Sequence, residues 1–226
     1  DAHRRALTIL EQFQYERPRI DIQRARYFTE SMKATEGQPL VLRWARALKN
    51  IAEKIEVTID EFQLLAGRCG CRGRYGILYP ELDGDFLDAA IQDLPDRAES
   101  PFIIEREDAR VVETEISPYW KSRTFHEHLN VHLPEETHWL TYDDHLGTFS
   151  RYIVNETASF RSSLQWVHDY EKVLKRGFGG IRTEALDKIS ALDPLSPVDH
   201  VEKRPFLEAV VMVCDAIVTW ARRHAA

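Results

Sequence analysis

Positive charge is in short supply: 30 Lys and Arg against 37 Asp and Glu leave a formal charge of -7. That balance disfavours an extended phosphate backbone, so no nucleic-acid partner is expected. Long apolar runs are missing as well. The most apolar stretch, 206–220, is interrupted by Glu208 and Asp215, and nothing in it reads as a membrane span. The opening DAHRRALTIL carries charges where a signal peptide needs an unbroken apolar run. Cysteine is sparse and odd in number. Cys69 and Cys71 are too close for a relaxed bridge, and Cys214 has no evident mate. A reducing cytoplasm is the expected compartment.

Signature motifs are lacking too. There is no GxxxxGK[ST], and Gly67, Gly70, Gly73 and Gly76 have neither the preceding strand nor the following helix of a dinucleotide fingerprint. A phosphate cradle is not expected. No internal repeat, low-complexity tract or Gly/Ser linker divides the chain, so residues 1–226 read as one region without a firm internal boundary.

What remains is ample apolar content, 43% of residues, arranged mostly with helical period. Leu40, Trp44, Ala47, Leu48 and Ile51 recur at helical spacing from position 39 to about 55, with Pro39 suited to a first turn. A preceding helix over 22–33 and the turn Thr35-Glu36-Gly37-Gln38-Pro39 complete a helical hairpin. Val57 and Ile59 read as a short strand. The glycines that follow read as an ordered, irregular loop through Tyr79-Pro80-Glu81. Further helices are expected over 86–94, 107–116, 117–131, 157–175, 181–192 and 205–223, the 157–175 helix ending at Gly177 with Gly179-Gly180 as its turn. On the last helix Phe206, Val210, Val213, Cys214, Ile217 and Trp220 make the expected buried face.

Candidate chemistry is scattered. The adjacent pairs Glu135-Glu136 and Asp143-Asp144 diverge in regular structure and read as solvated surface. His126, His128, His132 and His138 lie among glutamates, with His128 and His132 at helical ligand spacing. Without an HExxH signature no metal site is expected. Basic neighbours in Arg-Cys-Gly-Cys-Arg would favour a thiolate at Cys69 or Cys71, but no CxxC or partner histidine accompanies them, and a structural thiol in a turn is the reading. The most informative pattern is TASFRSSLQ. Thr157, Arg161 and Gln165 are four apart and share one helix face, a guanidinium fork beside a carboxamide that suits a small oxyanion. On periodicity alone an exposed polar stripe is the better reading of them.

The segment RYFTESMKATEGQPL at 26–40, followed by an arginine-bearing helix, resembles the opening of the glycyl radical enzymes related to pyruvate formate-lyase. The resemblance continues through Leu64-Leu65-Ala66-Gly67, Tyr79-Pro80-Glu81-Leu82, Asn155-Glu156-Thr157 and the Pro205 helix. Within the family, GRYGILYPELDGDFL at 73–87 and NETASFRSSLQWVHDY at 155–170 are most similar to the branch that cleaves the carbon–sulfur bond of isethionate. The resemblance implies that Arg161 and Gln165 hold the substrate sulfonate. It also implies a mainly α chain with a few short strands, the amino-terminal helical portion of a glycyl radical α/β barrel that is incomplete in these residues.

For the whole enzyme the resemblance implies a carboxyl-terminal glycyl radical that generates a cysteine thiyl radical. Hydrogen abstraction from the hydroxyl-bearing carbon then releases sulfite and leaves acetaldehyde. An activating enzyme using S-adenosylmethionine and an iron–sulfur cluster is implied, as is a homodimer, cytoplasmic or packaged in a bacterial microcompartment. The chain has neither the Cys-x-Glu loop nor the Arg-Val-x-Gly-Tyr loop of the family. These residues are therefore expected to carry no catalytic group, to bind no cofactor and to be inactive alone. The alternatives are another glycyl radical lyase or dehydratase acting on a small diol or amino alcohol, or a non-catalytic helical interaction protein.

Overall fold

The computed structural model describes residues 2–60, 63–64, 67, 70, 73–82, 87, 91–98, 101–124, 131–132, 134–136 and 168–226. The fold they show is mainly helical with two short parallel strands. Its contacts group into two compact units, Asp1–Ala25 with Gly73–Val167, and Arg26–Arg72 with His168–Ala226.

In the first unit, α1 (Ala2–Tyr15) carries Ala6, Ile9, Leu10 and Phe13 along one face, yet none of its residues is fully buried. The Arg74 guanidinium lies 4.2 Å from the Phe13 ring centre and donates to the Phe13 carbonyl at 2.8 Å. Arg17-Pro18 stops the helix and leads into β1 (Arg19–Asp21), which pairs in parallel with β2 (Tyr75–Ile77). On its other side Ile20 N–H donates to Ile103 O, and Ile103 N–H to Pro18 O, both at 2.8 Å. A strand at 75–77 replaces part of the expected irregular loop. Three residues are too few to display a period-two pattern, and the pairing is made with positions more than fifty residues away.

Also in this unit, α4 (Arg106–Val111), a π-turn (Val112–Ile116) and α5 (Ser117–Trp120) form one continuous helical run, where two helices separated at Ser117 were expected. Pro118 lacks an N–H and would crowd a regular helix interior. The chain widens just before it, with Ser117 N–H bonding Val112 O, and continues. The run ends at Trp120, well short of the expected 131, and Ser122 takes a positive φ of 67°. Val111, Val112, Ile116, Tyr119 and Trp120 are its buried hydrophobic side chains, with Ser117 buried among them.

The second unit contains most of α2 (Gln23–Ala34) and all of α3 (Leu40–Lys54), joined as expected by a turn in which Gly37 takes φ 82°. Val57 and Ile59 form no strand; the Thr58 hydroxyl instead donates to Gly70 O at 3.1 Å. The remaining elements are α6 (Tyr170–Ser190), a π-turn (Asp199–Lys203) and α7 (Arg204–Ala225). Helix α7 packs on both α3 and α6. Its most buried residues are Pro205, Ala209, Cys214 and Ala216, and α3 answers with Ala45, Ala47, Ile51 and Ala52.

Small residues permit that close approach, which corrects the expected face: Phe206 is exposed, and Val210, Val213, Ile217 and Trp220 are half-buried. Cys214 is buried as expected. Burial, and then the neighbouring Asp215, pushes its thiol above its ordinary pKa. Arg223 closes the α3 end by donating to Ala52 O at 2.8 Å and Ile55 O at 2.7 Å.

The expected helix over 157–175 is also corrected at its described end. Asp169 caps α6 by accepting Lys172 N–H at 2.9 Å, so the helix begins at Tyr170. The helix breaks at Gly177 as expected (φ 62°, ψ 171°), a conformation open essentially to glycine alone, whereas Gly179-Gly180, expected to make the turn, lie within the continuing helix.

Candidate functional site

Arg161 and Gln165, the expected sulfonate-binding pair, lie outside the described residues, as does Thr157. Cys69, Cys71, His126, His128, His138 and Asp143-Asp144 also lie outside the described residues. His132, Glu135 and Glu136 are exposed, and no cluster of three or more metal-ligating side chains occurs among the described residues.

The best-defined buried polar group is one the residue pattern did not announce. Arg24, at the start of α2, meets Glu81 in the loop after β2 through two charge-assisted hydrogen bonds. One is 2.9 Å from Nη1 to Oε2, and the second joins Nη2 to Oε1. The side chains are only 16% and 5% exposed. The guanidinium also lies 4.1 Å from the Tyr79 ring centre and reaches Leu78 O at 3.4 Å. A planar fork matched to a carboxylate and stacked on an aromatic face uses what lysine lacks. Both charges are consumed by each other, so this is a clamp on the 78–82 loop with no spare donor set for a substrate. The sequence signal was Tyr79-Pro80-Glu81-Leu82 itself; its partner could not be read because pairing across 57 positions leaves no local trace.

Three further places in the second unit invite a ligand reading. A hollow of ≈ 330 Å3 beside α2 and α3 is lined by Arg46, Lys49, Lys54, Glu30 and Glu53 among others. Two of its cations are already engaged, Lys54 with Glu30 at 3.1 Å and Lys49 with Glu53 at 3.8 Å. Beside the Gly177 break, Lys172, Arg176 and Lys188 converge on Glu184 at 3.3, 2.8 and 3.1 Å. Lys188, then Lys172, holds that carboxyl below its ordinary pKa. A carboxylate at the centre leaves no vacancy for an anion.

The third place is a groove of ≈ 610 Å3 lined by Gly67, Ile217, Trp220, Ala221, His224 and Ala225. Its histidine is spoken for. The Trp220 indole N–H donates to His224 Nε2 at 3.2 Å, so Nδ1 carries the proton and donates to Trp220 O at 2.9 Å. Neither nitrogen is left to act as a base.

Residues 2–226 match the family model described as pyruvate formate lyase-like. The chain is 70% identical over 223 residues to an isethionate sulfite-lyase of Nitratidesulfovibrio vulgaris (strain Hildenborough), covering 99% of this chain and 27% of that protein. Identity falls to 25% over 211 residues for a (2S)-3-sulfopropanediol dehydratase of Klebsiella oxytoca, with 91% of this chain and 24% of that one covered. Among solved structures, the glycerol-bound form of the B12-independent glycerol dehydratase from Clostridium butyricum superposes with a TM-score of 0.80 at 30% identity. It covers 97% of this chain and 27% of its own. The chain thus spans about a quarter of the length of the relatives it matches.

Proposed function

We propose, from the premise that this chain belongs to the pyruvate formate lyase-like family, that it is the amino-terminal part of a longer glycyl radical lyase. That enzyme cleaves the carbon–sulfur bond of isethionate, giving acetaldehyde and sulfite. The observation that carries the reading is the contrast in identity, 70% to an isethionate sulfite-lyase against 25% to a dehydratase, over nearly the same stretch.

In this reading Arg161 and Gln165 grip the sulfonate. The guanidinium offsets its charge and the carboxamide fixes its orientation, so that the carbon skeleton is presented toward groups elsewhere in the parent. The radical of the parent, installed by an activating enzyme that uses S-adenosylmethionine and an iron–sulfur cluster, supplies the hydrogen abstraction. In this reading the 226 residues supply sulfonate contacts and not the radical group, and they are expected not to turn over alone. The parent is a homodimer in the cytoplasm, free or in a microcompartment.

The fold shared with a glycerol dehydratase supports a second reading, a lyase or dehydratase of another small alcohol on the same framework. The test is the full-length polypeptide, purified anaerobically, activated and offered isethionate and glycerol separately. Sulfite and acetaldehyde in equal amounts from isethionate are expected; dehydration of glycerol without sulfite release from isethionate overturns the assignment. Arg161→Ala should raise KM for isethionate on the order of a hundredfold, the cost of removing one partner of a buried charge pair. An unchanged KM rejects the role of Arg161.

A further inference from the structure

The apolar sector of α3 is continuous along the helix, but its covering is not. From Ile51 onward it is shut: Ile51, Ala52 and Ile55 are buried, and Arg223 on α7 seals the carbonyls of Ala52 and Ile55. Toward the amino end the same sector turns Leu40 (60% exposed), Val41, Trp44 and Leu48 to solvent. These are not residues of a solvent face. The polar side of the helix is separately occupied by Arg46, Lys49 and Glu53. Trp44 meets the Phe28 ring edge-on at 5.1 Å between centroids and is still 43% exposed.

A soluble chain rarely leaves a row of large apolar side chains at helical spacing uncovered. The size of the row argues about its occupant. A self-standing dimer contact takes about 800 Å2 from each partner, and four half-exposed side chains on one helix fall well short of that. They suit the packing of one further segment of the same polypeptide. Such polypeptide is in ample supply, since the relatives matched along this chain are nearly four times as long.

We infer that the Leu40–Trp44–Leu48 face is the seat of a segment that follows Ala226 in the parent chain. The inference rests on the reading of this chain as part of a longer polypeptide, and not on the identity of its substrate. One end of the apolar sector of α3 is then covered by α7, and the other end receives the later segment.

The test uses the unactivated full-length polypeptide with Leu48 replaced by photoreactive p-benzoylphenylalanine, irradiated as a mixture of isotopically light and heavy protein, with peptide mapping of the products. The expected product is an intrachain cross-link to a peptide from beyond position 226. Cross-links between light and heavy chains would assign the face to a second copy, and cross-links to residues within 1–226 would assign it to this segment itself; either overturns the inference. Should the probe disturb folding, hydroxyl-radical footprinting of the unsubstituted protein replaces it. Trp44 is then expected to be protected, and oxidation at the rate of an exposed tryptophan overturns the inference. Both readouts need no turnover. A cross-link, with no sulfite from isethionate when unsubstituted protein is activated and assayed separately, keeps the seat and ends the substrate assignment, and sulfite release in that assay without the cross-link does the reverse.

Discussion

Replacing Glu81 by Gln keeps the shape of the 78–82 loop and removes the charge that Arg24 faces. Breaking a buried ion pair by neutralising one partner costs about 3–5 kcal/mol, because the other charge is left uncompensated. Here the guanidinium is 16% exposed and retains the Tyr79 ring at 4.1 Å and Leu78 O at 3.4 Å. The lower end, about 3 kcal/mol, is therefore expected, equivalent to roughly a hundredfold in an opening equilibrium. The amides that should report it are those whose bonds hold β1 to its neighbours on either side: Arg19 to Arg74 O, Ile20 to Ile103 O, and Ile103 to Pro18 O.

Native-state hydrogen exchange on the unactivated full-length protein should show these amides exchanging about a hundredfold faster in Glu81→Gln. Arg24→Met combined with Glu81→Met should recover most of the protection, since a packed apolar pair carries no buried charge. A change below about threefold in the single variant would refute the reasoning. So would a double variant as unprotected as the single.

Asp199 is held below its ordinary pKa chiefly by the Lys203 ammonium at 2.7 Å and then by Asp193 N–H at 3.0 Å. A depressed folded value means its stabilisation is full above the unfolded value near 3.9 and is lost as pH falls through the lower folded one. Asp199→Asn should flatten the acid dependence of proteolysis at the corner between α6 and α7, read as cleavage rate against pH. Gly177→Ala should cost about 1–3 kcal/mol, because φ 62° with ψ 171° is closed to a residue with a Cβ; thermal melting checks it. Arg223→Met removes two hydrogen bonds to the α3 carbonyls, for an expected loss of about 3 kcal/mol, read as faster exchange in the last turn of α3.

Long helices were legible because their period repeats: α2 and α3 begin and end within a residue or two of expectation, and the Gly37 turn between them is where the composition placed it. What was not legible depended on partners distant in sequence. The β1–β2 pair is three residues long and joins positions 19–21 to 75–77, leaving no alternation to detect. The buried side of α7 was misassigned because large apolar residues were taken as core, whereas a close three-helix approach selects alanine. Ser117-Pro118 looked like a helix start, since nothing local reveals that a π-turn will absorb the proline. At the candidate site, Arg161 and Gln165 lie outside the described residues, and the Asp169 cap that starts α6 at Tyr170 was not legible because a cap shows only once its bond to Lys172 N–H is seen.

A framework that superposes well on a glycerol-bound relative cannot by itself choose between a neutral triol and an anionic sulfonate. Charge can. A guanidinium facing a dry cavity costs several kcal/mol unless an anion or carboxylate answers it. In the proposed site, where the sulfonate is the partner of Arg161, a neutral occupant would leave the guanidinium unanswered and be penalised. Discrimination on this scheme comes from rejecting the wrong charge, and it needs no change in the helical frame that the two kinds of enzyme share. On the proposed reading the frame varies little, and the side chain at position 161 is what selects the charge of the substrate. The arrangement accounts for a fold kept at 30% identity beside a sequence that is 70% identical to an isethionate sulfite-lyase.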